Sequence, residues 1–355
     1  MSLSKEKKAV VFVGLSGGVD SSVAAARLLD QGYKVVGVFI KVWQPEFLKC
    51  DAESDRLDAM RVAAHLGIPF LTLDAAAEYK KEVGDYFVNE YISGRTPNPD
   101  VMCNRYVKFG SFWRFAKEHG ADFIATGHYA RVKKTQTWKL LRGIDTNKDQ
   151  SYFLWTLTQS DLEHVLLPIG DSTKDEVRAE AKRRGLPTAV KKDSQGICFL
   201  GHVDIKEFLK HFVELQSGNV LDINGLVIGR HDGVLIYTLG QRHGFTVLGE
   251  AGREPHFVVE KDVKNNTITV DRNPPVITSG SEISLIDTNS ISNHPLEGQM
   301  EAQIRYRQQP FKVKMLSWAT AEARLLPLSQ TEQPASGQSV VFYQGDECLG
   351  GGVIK

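Results

Sequence analysis

Two kinds of residue in this 355-residue chain have the types and spacing to do chemistry. The first is the run Gly14, Leu15, Ser16, Gly17, Gly18, Val19, Asp20, Ser21, Ser22. Glycines let a backbone bend sharply and come close to a ligand. The amides of such a loop, with a following helix N-terminus, bind an anion. The hydroxyls of Ser16, Ser21 and Ser22 would add donors to phosphate oxygens. Asp20 repels a phosphate unless a cation lies between them, which points to a Mg2+ bridge. A capped strand-to-helix turn is the plainer reading, but a cap needs one such residue and not the whole run. The run lacks the Gly-Lys-Ser/Thr ending of a Walker loop and the G-x-G-x-x-G of a dinucleotide site. The second kind is cysteine. Cys50, Cys103, Cys198 and Cys348 are few and scattered, with no C-x-x-C pair, so neither a disulfide framework nor a zinc site is expected. Cys103 precedes a helix expected over Tyr106 to His119, and a helix N-terminus lowers a thiol pKa. A small buried apolar cysteine is the other reading, and the chemistry alone leaves both open.

The elements that must position these residues alternate. Ala9 to Val13 reads as a strand, and Val23 to Leu29 as helix. Strands follow at 34–40, 70–73 and 122–126, with helices at 51–66, ending at Gly67, and 75–92. Such alternation predicts a parallel sheet of βαβ units, with ligand beyond the carboxyl ends of the strands. Ile40 and Gly127 fall at two of those ends. His128, beside Gly127, reads as a structural hydrogen-bonding histidine. The helix from Thr173 to Gly185 carries Lys174, Arg178, Lys182, Arg183 and Arg184, and Lys191 and Lys192 follow. That patch is either a solvated face or a phosphate-backbone contact.

From about Asp204 the pattern changes to short β-like runs with Gly, Asn and Asp turns. Arg305, Tyr306 and Arg307 are expected to alternate along a strand. The fold class is therefore α/β: a Rossmann-like parallel-sheet domain over 1–204, a small connecting domain over 205–273, and an antiparallel β-barrel domain over 274–355. Cys348 reads as a structural strand residue. Formal net charge is zero, so nucleic-acid binding must come from local patches. No apolar run approaches membrane-spanning length, and the N-terminal residues lack a secretory core, so a cytoplasmic protein is expected.

SGGVDSS resembles the pyrophosphate loop of the N-type ATP pyrophosphatases, which adenylate a substrate oxygen. With GRTPNPDVMCN, ATGHYAR, NKDQSYFL, KKDSQGICF, YTLGQRHG, RYRQ and CLGGGVI, the chain resembles the bacterial tRNA-specific 2-thiouridylase family over nearly its whole length. Phe-Ile-Lys at 39–41 departs slightly from the methionine common in that family, and an apolar contact tolerates the change. The resemblance implies ATP and Mg2+ as cofactors, tRNA and a persulfide-donor protein as partners, and no membrane. It implies that Gly14 to Ser21, Ile40 and Gly127 hold ATP, with Asp20 touching the metal indirectly through Mg2+–ATP. It makes Cys198 the persulfide carrier and Cys103 the nucleophilic partner thiol, able to end as a disulfide. Asp100 becomes a general acid/base, and Asn98, Pro99 and Asp100 line the target-base pocket. Lys148, Asp149, Gln150, Arg305 and Tyr306 become tRNA contacts. A pyrophosphatase-fold synthetase acting on a small molecule would explain the loop but not the two cysteines. An RNA-binding module using ATP as a conformational ligand would need neither thiol.

Overall fold

The structure, a computed structural model, describes residues 8–48, 52–192, 204–249, 254–319 and 321–355. Cys50 and Cys198, with the whole 193–203 stretch, lie outside the described residues. The parallel sheet has the spatial order Phe70–Asp74, Lys34–Lys41, Val10–Gly14, Phe123–Ala125, Val165–Leu166. Val10–Gly14 is apolar and β-branched because a central parallel strand is covered on both faces. The helix Val19–Asp30 is rich in alanine, which suits helix and permits close packing. Its Ala25 and Leu28 lie on the sheet with Val11 and Val13, while Val23 and Ala24 meet Val177 and Ala181 of the helix Lys174–Arg183. Strand order reverses between Val10–Gly14 and Phe123–Ala125, so the connections diverge there and leave a crevice beyond their carboxyl ends.

Two elements differ from expectation. The helix carrying Cys103 starts at Pro99, where proline's missing N–H costs nothing, and continues through a wide-turn stretch, Cys103–Ser111, to Phe112–Glu118. The Cys103 amide already bonds the Pro99 and Asp100 carbonyls. The helix end expected to activate Cys103 therefore acts on Asp100 and its neighbours, because the dipole's influence fades within the first turn. Nor do Arg305 to Arg307 alternate along a strand. The strand Gln299–Gln303 ends before them, and 304–307 make a tight turn with Arg307 at φ 64°.

The middle residues form a five-stranded sheet around Val220, Tyr237, Val258 and Ile268. The C-terminal strands close into an antiparallel barrel, because Ile283–Ser290 pairs with both Glu322–Pro327 and Glu347–Ile354. A hairpin from the first 204 residues, Ala130–Lys134 with Trp138–Arg142, extends the barrel sheet by pairing Leu140 and Leu141 with Cys348 and Glu347. Among the described residues, no helix is long and apolar enough to cross a membrane.

Candidate functional site

The loop after Val10–Gly14 is short. Leu15 is still tied to the sheet, its amide donating to the Val38 carbonyl at 2.8 Å. Ser16, Gly17 and Gly18 make the bend, and Asp20 and Ser21 already belong to the first helical turn. Gly17 has φ 73°, and a Cβ there would stand 2.4 Å from the Asp55 carbonyl oxygen. Of the three serines expected to face phosphate, only Ser16 is exposed. Ser21 and Ser22 are buried and hold the loop instead: both hydroxyls donate to the Gly18 carbonyl, and Ser22 accepts from Thr188 at 2.9 Å. Gly127 packs against this first turn, where a Cβ would meet the Ser21 nitrogen at 2.7 Å. Ile40 is the penultimate residue of its strand, with its Cδ1 beside Gly14.

Asp20 has partners that the sequence did not announce. Lys174 Nζ donates to both its carboxylate oxygens at 2.8 Å, and the Tyr129 hydroxyl donates to Oδ1 at 2.8 Å. Lys174 is buried, so it belongs to the loop's electrostatics and not to an outward basic face. The rest of that expected patch is also largely neutralised. Arg184 pairs with Asp30 and Glu180, Lys191 with Asp55 and Asp58, and Arg178 donates to the Lys191 carbonyl. Lys182, Arg183 and Lys192 remain exposed.

A cavity of about 290 Å³ opens over the loop. It is lined by Ser16, Gly18, Val19, Asp20, Gly127 and Tyr129 together with Lys148, Gln150, Lys192, Tyr306 and Arg307. Residues from five separate stretches of sequence, 16–20, 127–129, 148–150, 192 and 306–307, thus share one space. Gln150 is fixed there by a reciprocal pair with Tyr129, its Oε1 accepting from the Tyr129 amide at 3.0 Å and its own amide donating to the Tyr129 carbonyl. Tyr306 rests on Phe153, with ring centroids 4.6 Å apart. Asp149 is buried; its carboxylate accepts from Arg142, the Gly143 amide and Ser151, so it shapes the 147–151 turn from within. Arg305 donates to the Leu239 carbonyl and joins the barrel to the middle sheet.

The segment leading to Cys103 is clamped by all three units. The Thr96 amide donates to the Ser336 carbonyl, Gln338 Nε2 donates to the Thr96 and Pro97 carbonyls, and the Thr96 and Thr238 hydroxyls lie 3.0 Å apart. Lys261 donates to the Gly94 and Tyr237 carbonyls, and burial brings its amine down to about 8. Asn98 and Pro99 are buried, Asp100 is partly exposed, and Cys103 is 2% exposed. Asn104 Nδ2 donates to the Phe153 carbonyl at 3.0 Å, which ties the Cys103 helix to the turn beneath Tyr306. His128 is buried, with Nδ1 2.7 Å from the Thr126 hydroxyl, and burial holds its imidazole well below the usual range. Cys348 is buried in its strand, and its thiol is pushed up to about 12.

A carboxylate at the mouth of a glycine loop fits a Mg2+ ion that travels on phosphates, which needs only one or two protein carboxylates. No group of three His, Cys, Asp or Glu side chains able to cage a metal occurs among the described residues.

Three family profiles match the chain in order: a tRNA methyl transferase HUP domain over residues 9–202, a tRNA methyl transferase PRC-barrel domain over 206–272, and an aminomethyltransferase beta-barrel domain over 281–354. The chain is 47% identical over 350 residues to the tRNA-specific 2-thiouridylase MnmA of Geobacillus thermodenitrificans, covering 97% of this chain and 94% of that one. It is 47% identical over 351 residues to the protein of that name from Listeria monocytogenes, with the same coverage. It is 44% identical over 353 residues to that of Lysinibacillus sphaericus. Among solved structures, a 4-thiouridine synthetase–RNA complex with bound ATP is similar at 21% identity and a TM-score of 0.36, over 57% of this chain and 50% of that one.

Proposed function

The chain belongs to the tRNA-specific 2-thiouridylase family, and from that premise we infer how its residues divide the work. The activity is ATP-dependent 2-thiolation of the wobble uridine of tRNA. Replacing a carbonyl oxygen by sulfur needs a leaving group better than oxide, and adenylation supplies AMP. The matched families are described by methyl transfer, whereas the relatives aligned over 97% of the chain are tRNA-specific 2-thiouridylases by name.

ATP would lie in the cavity with its phosphates on the Ser16–Gly18 amides and the start of the Val19–Asp30 helix. Mg2+, when bound beside Asp20, would neutralise charge on the phosphates. The target uridine leaves the anticodon stack to reach the Asn98–Asp100 turn. Asp100 takes the N3 proton as uracil O2 attacks the α-phosphorus, and pyrophosphate leaves with the electron pair of the broken bond. The terminal sulfur of a Cys198 persulfide, loaded by a donor protein, then adds at C2 and expels AMP. Cys103 attacks the Cys198 sulfur, leaving a Cys103–Cys198 disulfide for reductant to reopen, and Asp100 returns the proton to N3. Lys148, Gln150 and Tyr306 would contact the tRNA beside the ATP, while Asp149 and Arg305 hold those contacts in place. The division into units at 204 and 273 is part of the same proposal.

The observation that carries this reading is the shared cavity, which puts the phosphate loop against the NKDQ and RYRQ segments. Its test is a single-turnover reaction of unmodified tRNA, ATP and a persulfide donor, scored by nucleoside mass. Cys103→Ser and Cys198→Ser should each abolish 2-thiouridine while ATP still binds. An active Cys198→Ser chain would overturn the persulfide step.

A further inference from the structure

Arg307 holds an unusual backbone conformation at the edge of the cavity. Its φ of 64° lies in the left-handed region, where glycine or asparagine sits at lower cost than arginine. The turn is imposed by Gln308, whose Oε1 accepts from the Ile304 amide at 3.0 Å, whose amide donates to the Arg305 carbonyl, and whose own carbonyl accepts from Gln303. A residue held in such a conformation by its surroundings is a mark of functional sites. The Arg307 side chain is exposed, lies with its Cζ 5.0 Å from the Tyr306 ring centroid, and lines the cavity that holds Ser16, Gly18 and Asp20. It makes no ion pair with a carboxylate among the described residues.

The cavity already carries the ammoniums of Lys148 and Lys192, which are point charges, and Arg307 adds a planar guanidinium to them. Asp20 places a negative charge where a triphosphate would lie, and Lys174 directs its ammonium at both Asp20 oxygens. A guanidinium is always charged and matches phosphate oxygens with two parallel donors. We propose that Arg307, carried by the barrel, contacts the β- and γ-phosphates of ATP and stabilises the departing pyrophosphate. This rests on the adenylation reading above. As the Pα–O bond breaks, its electron pair moves onto pyrophosphate, and the charge growing there is what Arg307 meets. Because Arg305 and Tyr306 precede it in the same turn, tRNA docking on that turn would set Arg307 for the cut.

The test separates ATP chemistry from RNA binding. At saturating ATP and tRNA, Arg307→Gln should slow pyrophosphate release about 100-fold. The tRNA Kd should stay within about twofold and its salt dependence unchanged. Arg307→Lys should recover part of the rate. Arg307→Gly relieves the backbone and should lose as much as Arg307→Gln, so misfolding cannot produce the effect. A fall in tRNA affinity with a shallower salt slope, and normal pyrophosphate release once tRNA saturates, would assign Arg307 to an RNA phosphate and overturn the proposal. An active Arg307→Gly chain would overturn it too. A wild-type chain that releases no pyrophosphate would defeat the ATP reading itself, a result distinct from loss confined to the variants.

Discussion

At the scale of single residues, the site turns on how Asp20 is held. Its carboxylate joins its own helix, the Lys174 helix and Tyr129, the residue before the Ala130–Lys134 strand. Lys174 is buried, so removing Asp20 alone leaves an ammonium with its principal partner gone, which is more damaging than removing both. Asp20→Asn should therefore cost about 2–3 kcal/mol in denaturant unfolding, and Asp20→Asn with Lys174→Met should recover most of it. Pyrophosphate release should stay lost in the double variant, because stability returns without the carboxylate. Recovered activity in that variant would mean that Asp20 serves the fold alone. The glycine loop and its place at a strand end were legible in sequence, since types and order suffice for that. Lys174 was misassigned to a basic surface because its direction depends on a contact 154 positions away, which composition cannot carry.

At the scale of elements, the basic helix Lys174–Arg183 shows why a charge run is a poor guide to a surface. Thr173 and Glu176 form a capping box that fixes its start, and its cations then point in several directions. Arg184 reaches Asp30 on the neighbouring helix and Glu180 on its own, so Arg184→Ala should lower the unfolding midpoint slightly and leave tRNA affinity alone. Lys182 and Arg183 are the exposed pair that can meet an RNA backbone. Changing both to alanine should reduce the slope of log K against log salt by one to two, a range of roughly 0.7–0.9 per contact. An unchanged slope would make them solvated surface. The Cys103 helix teaches the same lesson. Its body was readable as the stretch from Tyr106 to His119, but its start was not, because Pro99 is the first helical residue and places Cys103 inside the helix.

At the scale of the whole molecule, the three sequence units are joined more closely than their compositions suggest. The 130–142 hairpin is part of the barrel sheet, and the turn at 94–97 is bonded to both later units. In the closing strand, a Cβ on Gly351 would stand 2.5 Å from the Val340 oxygen and 2.9 Å from the Trp155 ring, so Cys-Leu-Gly-Gly-Gly is shaped to receive a tryptophan from the first unit. Multidomain chains commonly unfold in steps, but these shared elements should make this one unfold as a unit. Two histidines can report on it. Burial lowers the pKa of His128 in the first unit and of His231 in the middle one. The His231 Nδ1 also accepts from the Gly233 amide at 3.0 Å, a bond that protonation would break. Burial favours the neutral ring of each in the folded chain, so below about pH 6.5 the unfolded state binds more protons. Stability should be full above that pH and fall below it by up to about 1.4 kcal/mol per pH unit for each histidine. In denaturant titrations at pH 7.5, 6.5 and 5.5, His128→Gln and His231→Gln should each flatten the acid loss of one common transition. If His231→Gln instead moved a separate early transition and left the main one in place, the middle sheet would be an independent unit, and the joints through Thr96, Lys261 and Arg305 would not be what unites the molecule.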